Sequence, residues 1–155
     1  YDPCWTIMLG LESVIGSVGR SRDQFFPIRD EMAGISLAVP ETMRFQDKPD
    51  LNTPIPAALT IQASGRWSQQ FLDEDPETVI ARLCAIWAGI SGQPLPPILD
   101  ASAHRWLYAK VTTVADENAP RQSDDKKIAI AGDWLGGPRV EQAFDSGTAA
   151  YLGLC

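Results

Sequence analysis

The sequence lacks the features that mark membrane-spanning, metal-binding and nucleic-acid-binding proteins. None of its apolar runs approaches the length of about 20 residues that a membrane-spanning helix needs. Its three cysteines, Cys4, Cys84 and Cys155, are odd in number and have no C-x2-C spacing, which argues against a metal site. The net charge of −7 argues against nucleic acid or an anionic membrane as a partner, because both are bound by clustered Lys and Arg.

Further absences bear on enzyme class and on location. The sequence has no nucleophile-elbow motif with a Ser–His–acid order, which argues against a hydrolase. Its first residues have neither the basic nor the apolar region of a secretory signal, and no initiator methionine. We therefore predict a cytoplasmic protein, and a sequence that begins inside a longer chain.

The hydrophobic periodicity predicts an α+β fold, with a mixed β-sheet and helices packed on it. A hydrophobic content of 45% over 155 residues is enough for one globular core. Short apolar or alternating runs predict strands over 5–11, 35–39, 58–63, 98–111 and 127–131. Polar stretches predict loops over 13–29, 41–56 and 115–127, of which 41–56 is the expected mobile one.

Two long helices are predicted, each with one apolar face. Asp75 as N-cap, Pro76 at the first helical position and Gly92 at the end delimit the first helix, after a short helical turn over 67–72. A second helix is predicted over 138–154. Their apolar faces are Val79, Ile80, Leu83, Ile86, Trp87 and Ile90 in the first helix, and Val140, Phe144, Gly147, Tyr151 and Leu154 in the second. We expect Trp5, Trp67, Trp87 and Cys84 in the core.

The last quarter of the chain reads as a buried strand, a glycine turn and a helix. Ile128-Ala129-Ile130-Ala131 is followed by Gly132-Asp133-Trp134-Leu135-Gly136-Gly137, and the helix opens at Gly137-Pro138. Such a turn is expected to leave unpaired backbone N–H groups at the helix N-terminus. These groups suit a phosphate or the electron-rich edge of a flavin ring.

This run resembles the C-terminal FAD-contacting motif of flavin-containing amine oxidases, most closely that of bacterial renalase-like oxidoreductases. The resemblance extends over Gly132-Asp133-Trp134-x-Gly136-Gly137-x-Arg139-Val140-Glu141-x-Ala143-x-x-Ser146-Gly147. Three earlier segments resemble the same family in the same order: Tyr1-Asp2-Pro3-Cys4-Trp5, Trp67-Ser68, and Ala103-His104-Arg105-Trp106-Leu107-Tyr108-Ala109. Residues 13–56 and 112–127 match poorly.

The resemblance implies a two-domain FAD enzyme, of which this chain holds one part. The family's dinucleotide-binding half begins with G-x-G-x-x-G, and that motif does not occur here. We therefore expect a substrate-binding domain over 1–126 and, over 127–155, the FAD-contacting strand-turn-helix of a Rossmann-like FAD domain. The N-terminal dinucleotide-binding half is expected to be absent.

The resemblance also implies which residues contact FAD in the parent protein. They are Gly132, Asp133, Gly136, Gly137, Arg139, Val140 and Glu141. Glycine at 132 would allow close approach of the backbone, and the Asp133 carboxylate would accept a hydrogen bond from a ribityl hydroxyl. The alternative is an ordinary strand-to-loop turn followed by a helix with a glycine cap.

The strand over 98–111 carries the candidate substrate-binding residues on one face: His104, Trp106 and Tyr108. They are expected to form an aromatic wall over the flavin ring, although ordinary cross-strand packing is an equal alternative. His104 is the one histidine and so a candidate acid or base, but a lone histidine in a strand is more often structural. Arg105 faces the other way and is expected to meet Asp133, Glu141 or a substrate phosphate.

By resemblance, the parent protein oxidises an amine or a dihydronicotinamide-type small molecule through FAD, with oxygen as acceptor. The chain alone is expected to be inactive. The alternative is a non-catalytic substrate-binding or interaction domain without flavin. The strand over 127–131 and the apolar face of the last helix are expected to be uncovered here, so that the last thirty residues self-associate or are poorly ordered.

Overall fold

The computed structural model describes residues 1–13, 15, 28–40, 57–115 and 121–154. They form two compact units: a sheet unit, residues 3–107, and a C-terminal unit, residues 1–2 and 108–155. The predicted division into a substrate-binding domain over 1–126 and an FAD-contacting segment over 127–155 is a statement about function, and it stays a prediction. The predicted loop over 41–56, and that over 13–29 apart from a few residues, lie outside the described part of the chain.

Five strands form one antiparallel sheet in the order β2-β3-β4-β1-β5. The strands are β1 (Asp2–Leu11), β2 (Ile28–Asp30), β3 (Ile35–Pro40), β4 (Ala57–Ala63) and β5 (Ile98–Lys110). In the β1–β4 pair, Thr6 lies opposite Gln62 and Met8 opposite Thr60. The α+β class and four of the predicted strands are confirmed, but the sheet is antiparallel rather than mixed, and β2 was not predicted.

The core lies between one face of this sheet and two helices, α1 (Gly65–Gln70) and α2 (Pro76–Ser91). Alternate residues of β1 and β4 point into it, as period-two strands with one buried face require. The predicted core tryptophans Trp5, Trp67 and Trp87 are all buried, whereas Cys84 is half-buried at the margin of the core.

Helix α2 begins and ends where its capping residues predict. The Asp75 carboxylate accepts a hydrogen bond from the Thr78 N–H at 2.9 Å, and hydrogen bonds from Thr78 lower the pKa of Asp75. Gly92 closes the helix in the left-handed conformation, with φ of 69°, which favours glycine. Of the predicted apolar face, Val79, Leu83 and Trp87 are fully buried.

The predicted buried strand over 127–131 is not formed. Only an isolated bridge joins Gln122 to Ala129, next to hydrogen bonds from Ser123 to Ile128 and from Ile130 to Arg121. Ile128 and Ile130 are exposed. A segment folded back on a turn, with no further described strand beside it, has no sheet in which to be buried, so this prediction was wrong.

The last helix, α3 (Val140–Leu154), starts two residues later than predicted, after a 3-10 turn at Asp133–Leu135. Its predicted apolar face is uncovered: Val140 is 84% exposed, Phe144 73% and Tyr151 68%. Gly147 has open space where a side chain would begin, so close helix packing does not explain this glycine. Self-association through this segment remains a prediction.

Two core tryptophans provide a test of the sheet unit. The indole N–H of Trp5 donates to the Phe71 carbonyl at 2.9 Å, whereas that of the fully buried Trp87 has no partner among the residues that the structure describes. Phe substitution removes the same ring volume at both sites, but only at Trp5 does it remove a hydrogen bond. We expect Trp5→Phe to lower the free energy of unfolding by about 1–2 kcal/mol more than Trp87→Phe, measured by urea denaturation. Equal losses would show that the Trp87 N–H is hydrogen-bonded in solution.

Candidate functional site

The face of the sheet opposite α1 and α2 is the candidate binding surface of the sheet unit. The strand registers place its residues in rows. Leu37, Gln62 and Thr6 form one row, and Val39, Thr60 and Met8 form the next. None of these side chains is ionised, so this part of the face is neutral and partly apolar.

Free polar groups lie within these rows. The Gln62 amide and the Thr60 hydroxyl are half-buried and make no hydrogen bond within the described part of the chain. Each can therefore offer a donor and an acceptor to a ligand lying flat on the sheet. These positions were not predicted from the sequence, although their place on the even-numbered face of two alternating strands was the signal that could have marked them.

Strand β5 adds His104 and Trp106 to the face. Their rings lie edge to face with centroids 4.3 Å apart, and Trp106 is 53% exposed. Among described residues His104 accepts no hydrogen bond and donates none, so no partner orients it as a base. The geometry of this aromatic pair suits contact with one side of a flat ligand better than it suits acid–base catalysis.

Tyr108, the third residue predicted for this wall, belongs to the C-terminal unit. Its ring packs edge-on against Tyr1, with centroids 6.1 Å apart. The alternation of β5 thus places all three predicted residues on one strand face, but the ring contact that includes Tyr108 is with Tyr1 rather than with Trp106.

Cys4 extends the candidate surface on β1. Its thiol lies 3.7 Å from the Thr6 hydroxyl and 3.6 Å from the Ala63 carbonyl. Burial raises the pKa of this thiol, which keeps it protonated at neutral pH. Cys4 therefore contributes a neutral, partly buried thiol to the face.

Arg105 points to the opposite face of β5 from His104. Its guanidinium donates to the Leu72 carbonyl at 2.5 Å and to Asp73 at 3.3 Å, and it lies over the Trp5 ring. Arg105 therefore contacts the turn after α1, and the expected contact with Asp133, Glu141 or a substrate phosphate stays a prediction. The ion pair is largely exposed, so it contributes little to stability.

The glycine turn of the C-terminal unit makes most of its hydrogen bonds internally. The Gly132 N–H donates to the Ser146 hydroxyl at 3.1 Å, and the N–H groups of Gly136 and Gly137 donate to the Asp133 carbonyl. A side chain at Gly132 would begin 2.4 Å from the Trp134 indole nitrogen. A larger residue at 132 would therefore require the Trp134 ring to move, and these N–H groups are already bonded within the chain.

The start of α3 differs from the turn before it. The first N–H groups of the helix, at Val140 and Glu141, make no hydrogen bond to any residue that the structure describes. Arg139, one residue before the helix, has no ion pair among those residues and is exposed. Together they offer unpaired donors and one positive charge at the positive end of a helix dipole.

Asp133 lies at the start of the 3-10 turn. One carboxylate oxygen accepts a hydrogen bond from the Tyr1 hydroxyl at 3.4 Å. Desolvation and the negative charge of Asp133 raise the pKa of the Tyr1 hydroxyl, so it stays a donor at neutral pH. The other carboxylate oxygen has no side-chain partner in the described ranges, and it is available to a ligand hydroxyl.

The chain matches no known protein-family model. Within the described residues, no group of three or more His, Cys, Asp and Glu is placed to hold a metal ion. No helix formed by those residues is both long and apolar enough to span a bilayer.

Proposed function

We propose that this chain is the substrate-binding part of an FAD-dependent oxidoreductase, which oxidises an amine or a dihydronicotinamide-type small molecule with oxygen as acceptor. In this proposal the C-terminal unit contributes the strandless turn and helix that contact the flavin of a Rossmann-like FAD domain. The pyrophosphate is bound by residues outside this sequence, since G-x-G-x-x-G does not occur in it.

The observation that carries the proposal is the start of α3. A flavin ring has an electron-rich edge, and the unpaired N–H groups of Val140 and Glu141 suit such an edge. Donors fixed at a helix N-terminus need no reorganisation when negative charge develops next to them. Bound flavin would supply the redox chemistry, by taking a hydride equivalent from a C–H bond adjacent to nitrogen.

The residues of the C-terminal unit fit this cofactor in part. The Asp133 carboxylate has an oxygen available to a ribityl hydroxyl, and Arg139 supplies a positive charge beside the helix. The N–H groups of Gly132, Gly136 and Gly137 are already bonded within the chain, so they add no donors. The proposed contact therefore depends on Asp133, Val140 and Glu141 rather than on the glycines.

The sheet face opposite α1 and α2 supports a small planar substrate. Thr60 and Gln62 offer hydrogen bonds, and Met8 and Val39 offer apolar contact. The two rows themselves hold no carboxylate, but alternation places Asp100 on the same face of β5 as His104. A neutral ring that carries an amide would satisfy these groups better than a charged amine. Within the proposal, the dihydronicotinamide-type substrate therefore suits the two rows, whereas an amine would lie closer to Asp100.

A second function remains supported by a specific observation. The glycine turn is complete without a ligand, and Trp134 occupies the space beside Gly132. A non-catalytic binding or interaction domain would have such a turn and would never bind flavin. The two functions differ in what the chain does with an isolated flavin ring.

Flavin binding by the 155-residue chain tests the proposal. We expect weak quenching of flavin fluorescence, with the same affinity for riboflavin and for FAD, because the chain contacts the ring but has no pyrophosphate motif. Val140→Pro should weaken binding, since proline removes the N–H yet is well tolerated at the first helical position. Val140→Ala, which keeps the N–H, is the matched control.

Three results would contradict the proposal. Submicromolar affinity for FAD would show that the chain holds the whole dinucleotide and is not one part of a larger site. Binding of neither flavin at millimolar concentration, or equal binding by Val140→Pro and Val140→Ala, would favour the non-catalytic domain.

A further inference from the structure

Strand β5 has an edge that no described strand covers. It is the last strand in the sheet order, so that only its inner edge is paired, with β1. It runs for 13 residues, and every residue of the strand except Ala103 is exposed. Proteins usually protect such an edge with a bulge, a proline or a shorter strand, because it is a template for another strand. The segment Ile98–Lys110 contains no proline.

The side chains of this strand are complementary to themselves in one antiparallel register. Alternation places Ile98, Asp100, Ser102, His104 and Trp106 on one face. If two copies pair with Ser102 opposite Ser102, then Asp100 of each copy lies opposite His104 of the other. Ile98 lies opposite Trp106 in the same register, and Ala101 opposite Ala103.

Neighbouring registers lose this complementarity. Centring the pair on Ala103 places Asp100 opposite Trp106 and Ala101 opposite Arg105. Centring it on Arg105 places two guanidinium groups opposite each other, and like charges in that position are unfavourable. The register centred on Ser102 instead gives two carboxylate–imidazole pairs and four apolar pairs, two of Ile98 with Trp106 and two of Ala101 with Ala103, and it places Leu99 opposite Arg105.

We infer that the outer edge of β5 binds a second copy of this chain, in an antiparallel pair centred on Ser102. This is strand addition, in which backbone hydrogen bonds supply affinity and the opposed side chains fix the register. The open faces of the two sheets would then lie side by side, with both copies of His104 and Trp106 near the junction. The inference does not depend on the proposed flavin chemistry.

Charge variants at Ser102 test this pairing directly, because the residue meets itself across the two-fold axis. Sedimentation equilibrium of the full chain should show a dimer. Ser102→Lys and Ser102→Asp should each weaken it by about fivefold, the effect of about one unfavourable cross-strand pair. An equal mixture of the two variants should restore association, since lysine then lies opposite aspartate. Far-UV circular dichroism checks that each variant stays folded.

Phe144→Asp is the control for self-association through α3, whose apolar face is exposed. It should leave the dimer intact. A chain that sediments as a monomer at every concentration would overturn the inference. So would Ser102 variants that dimerise like the wild type, or a mixture that associates no better than its components. Loss of the dimer in Phe144→Asp alone would assign self-association to the C-terminal helix instead.

Discussion

Leu83→Ala is expected to lower the free energy of unfolding of the sheet unit by about 2–5 kcal/mol. Leu83 lies on the inner face of α2 and is fully buried. Alanine removes most of its apolar contacts and leaves a cavity, because the side chains around it relax only in part. Urea denaturation followed by tryptophan fluorescence measures the loss, provided that the slope of the transition is unchanged.

The matched control is Phe144→Ala on α3. Phe144 occupies an equivalent place in the apolar pattern of its helix, but its side chain is 73% exposed. We expect a change of no more than about 0.5 kcal/mol, as for other surface positions. If Phe144→Ala destabilised the chain as much as Leu83→Ala, the face of α3 would be buried in solution. A dependence of that loss on protein concentration would then identify a second copy as what covers it.

These two helices show what the sequence could predict. Asp75, Pro76 and Gly92 act on their own backbone neighbourhood, so local reasoning located α2 to the residue. The apolar periodicity of α2 and α3 is similar, and it establishes only that each helix has an apolar face. Whether that face is covered depends on other elements. Leu83 packs in the core beneath the sheet, whereas Phe144 is exposed. Periodicity within one helix does not predict this difference.

The same limit explains the segment over 127–131. Ile128 and Ile130 alternate as strand residues should, but a strand is formed only when another strand pairs with it along its length. Here a turn brings Arg121 and Ser123 close enough for only isolated backbone bonds. The pattern was that of a strand, but no strand in the described part of the chain pairs with it.

The sequence predicted which residues of the candidate site share one face of β5, but it did not predict which residues of the neighbouring strands lie beside them. Alternation within β5 was enough to put His104 and Trp106 on one face. Their neighbours on the open face come from the registers of β1, β3 and β4, which join Thr6 to Gln62 and Leu37. Register depends on turns and on long-range packing, so a single sequence does not reveal it. The same holds for the Gly132–Ser146 bond, which closes the glycine turn.

Asp133→Ala is expected to weaken FAD retention by roughly ten- to a hundredfold in the flavoprotein of which we propose this chain is a part. A hydrogen bond to a charged group contributes about 1.5–3 kcal/mol, and this range corresponds to that loss of affinity. The carboxylate keeps one oxygen free of side-chain partners in the described residues, so the bond to a ribityl hydroxyl is available to it. Flavin release on dialysis, followed by absorbance, measures the change.

Tyr1→Phe separates a cofactor contact from a structural one, because the Tyr1 hydroxyl is the donor already bound to Asp133. If Asp133 mainly holds Tyr1 in place, Tyr1→Phe and Asp133→Ala should reduce flavin retention equally. If Asp133 contacts the ribityl chain, only the loss of its carboxylate should matter, and Tyr1→Phe should retain flavin like the wild type. Asp133→Asn should then fall between them, since the amide oxygen still accepts a hydrogen bond but without the charge that strengthens it. Wild-type retention in Asp133→Ala would remove Asp133 from the proposed flavin site and leave the start of α3 as its one remaining contact.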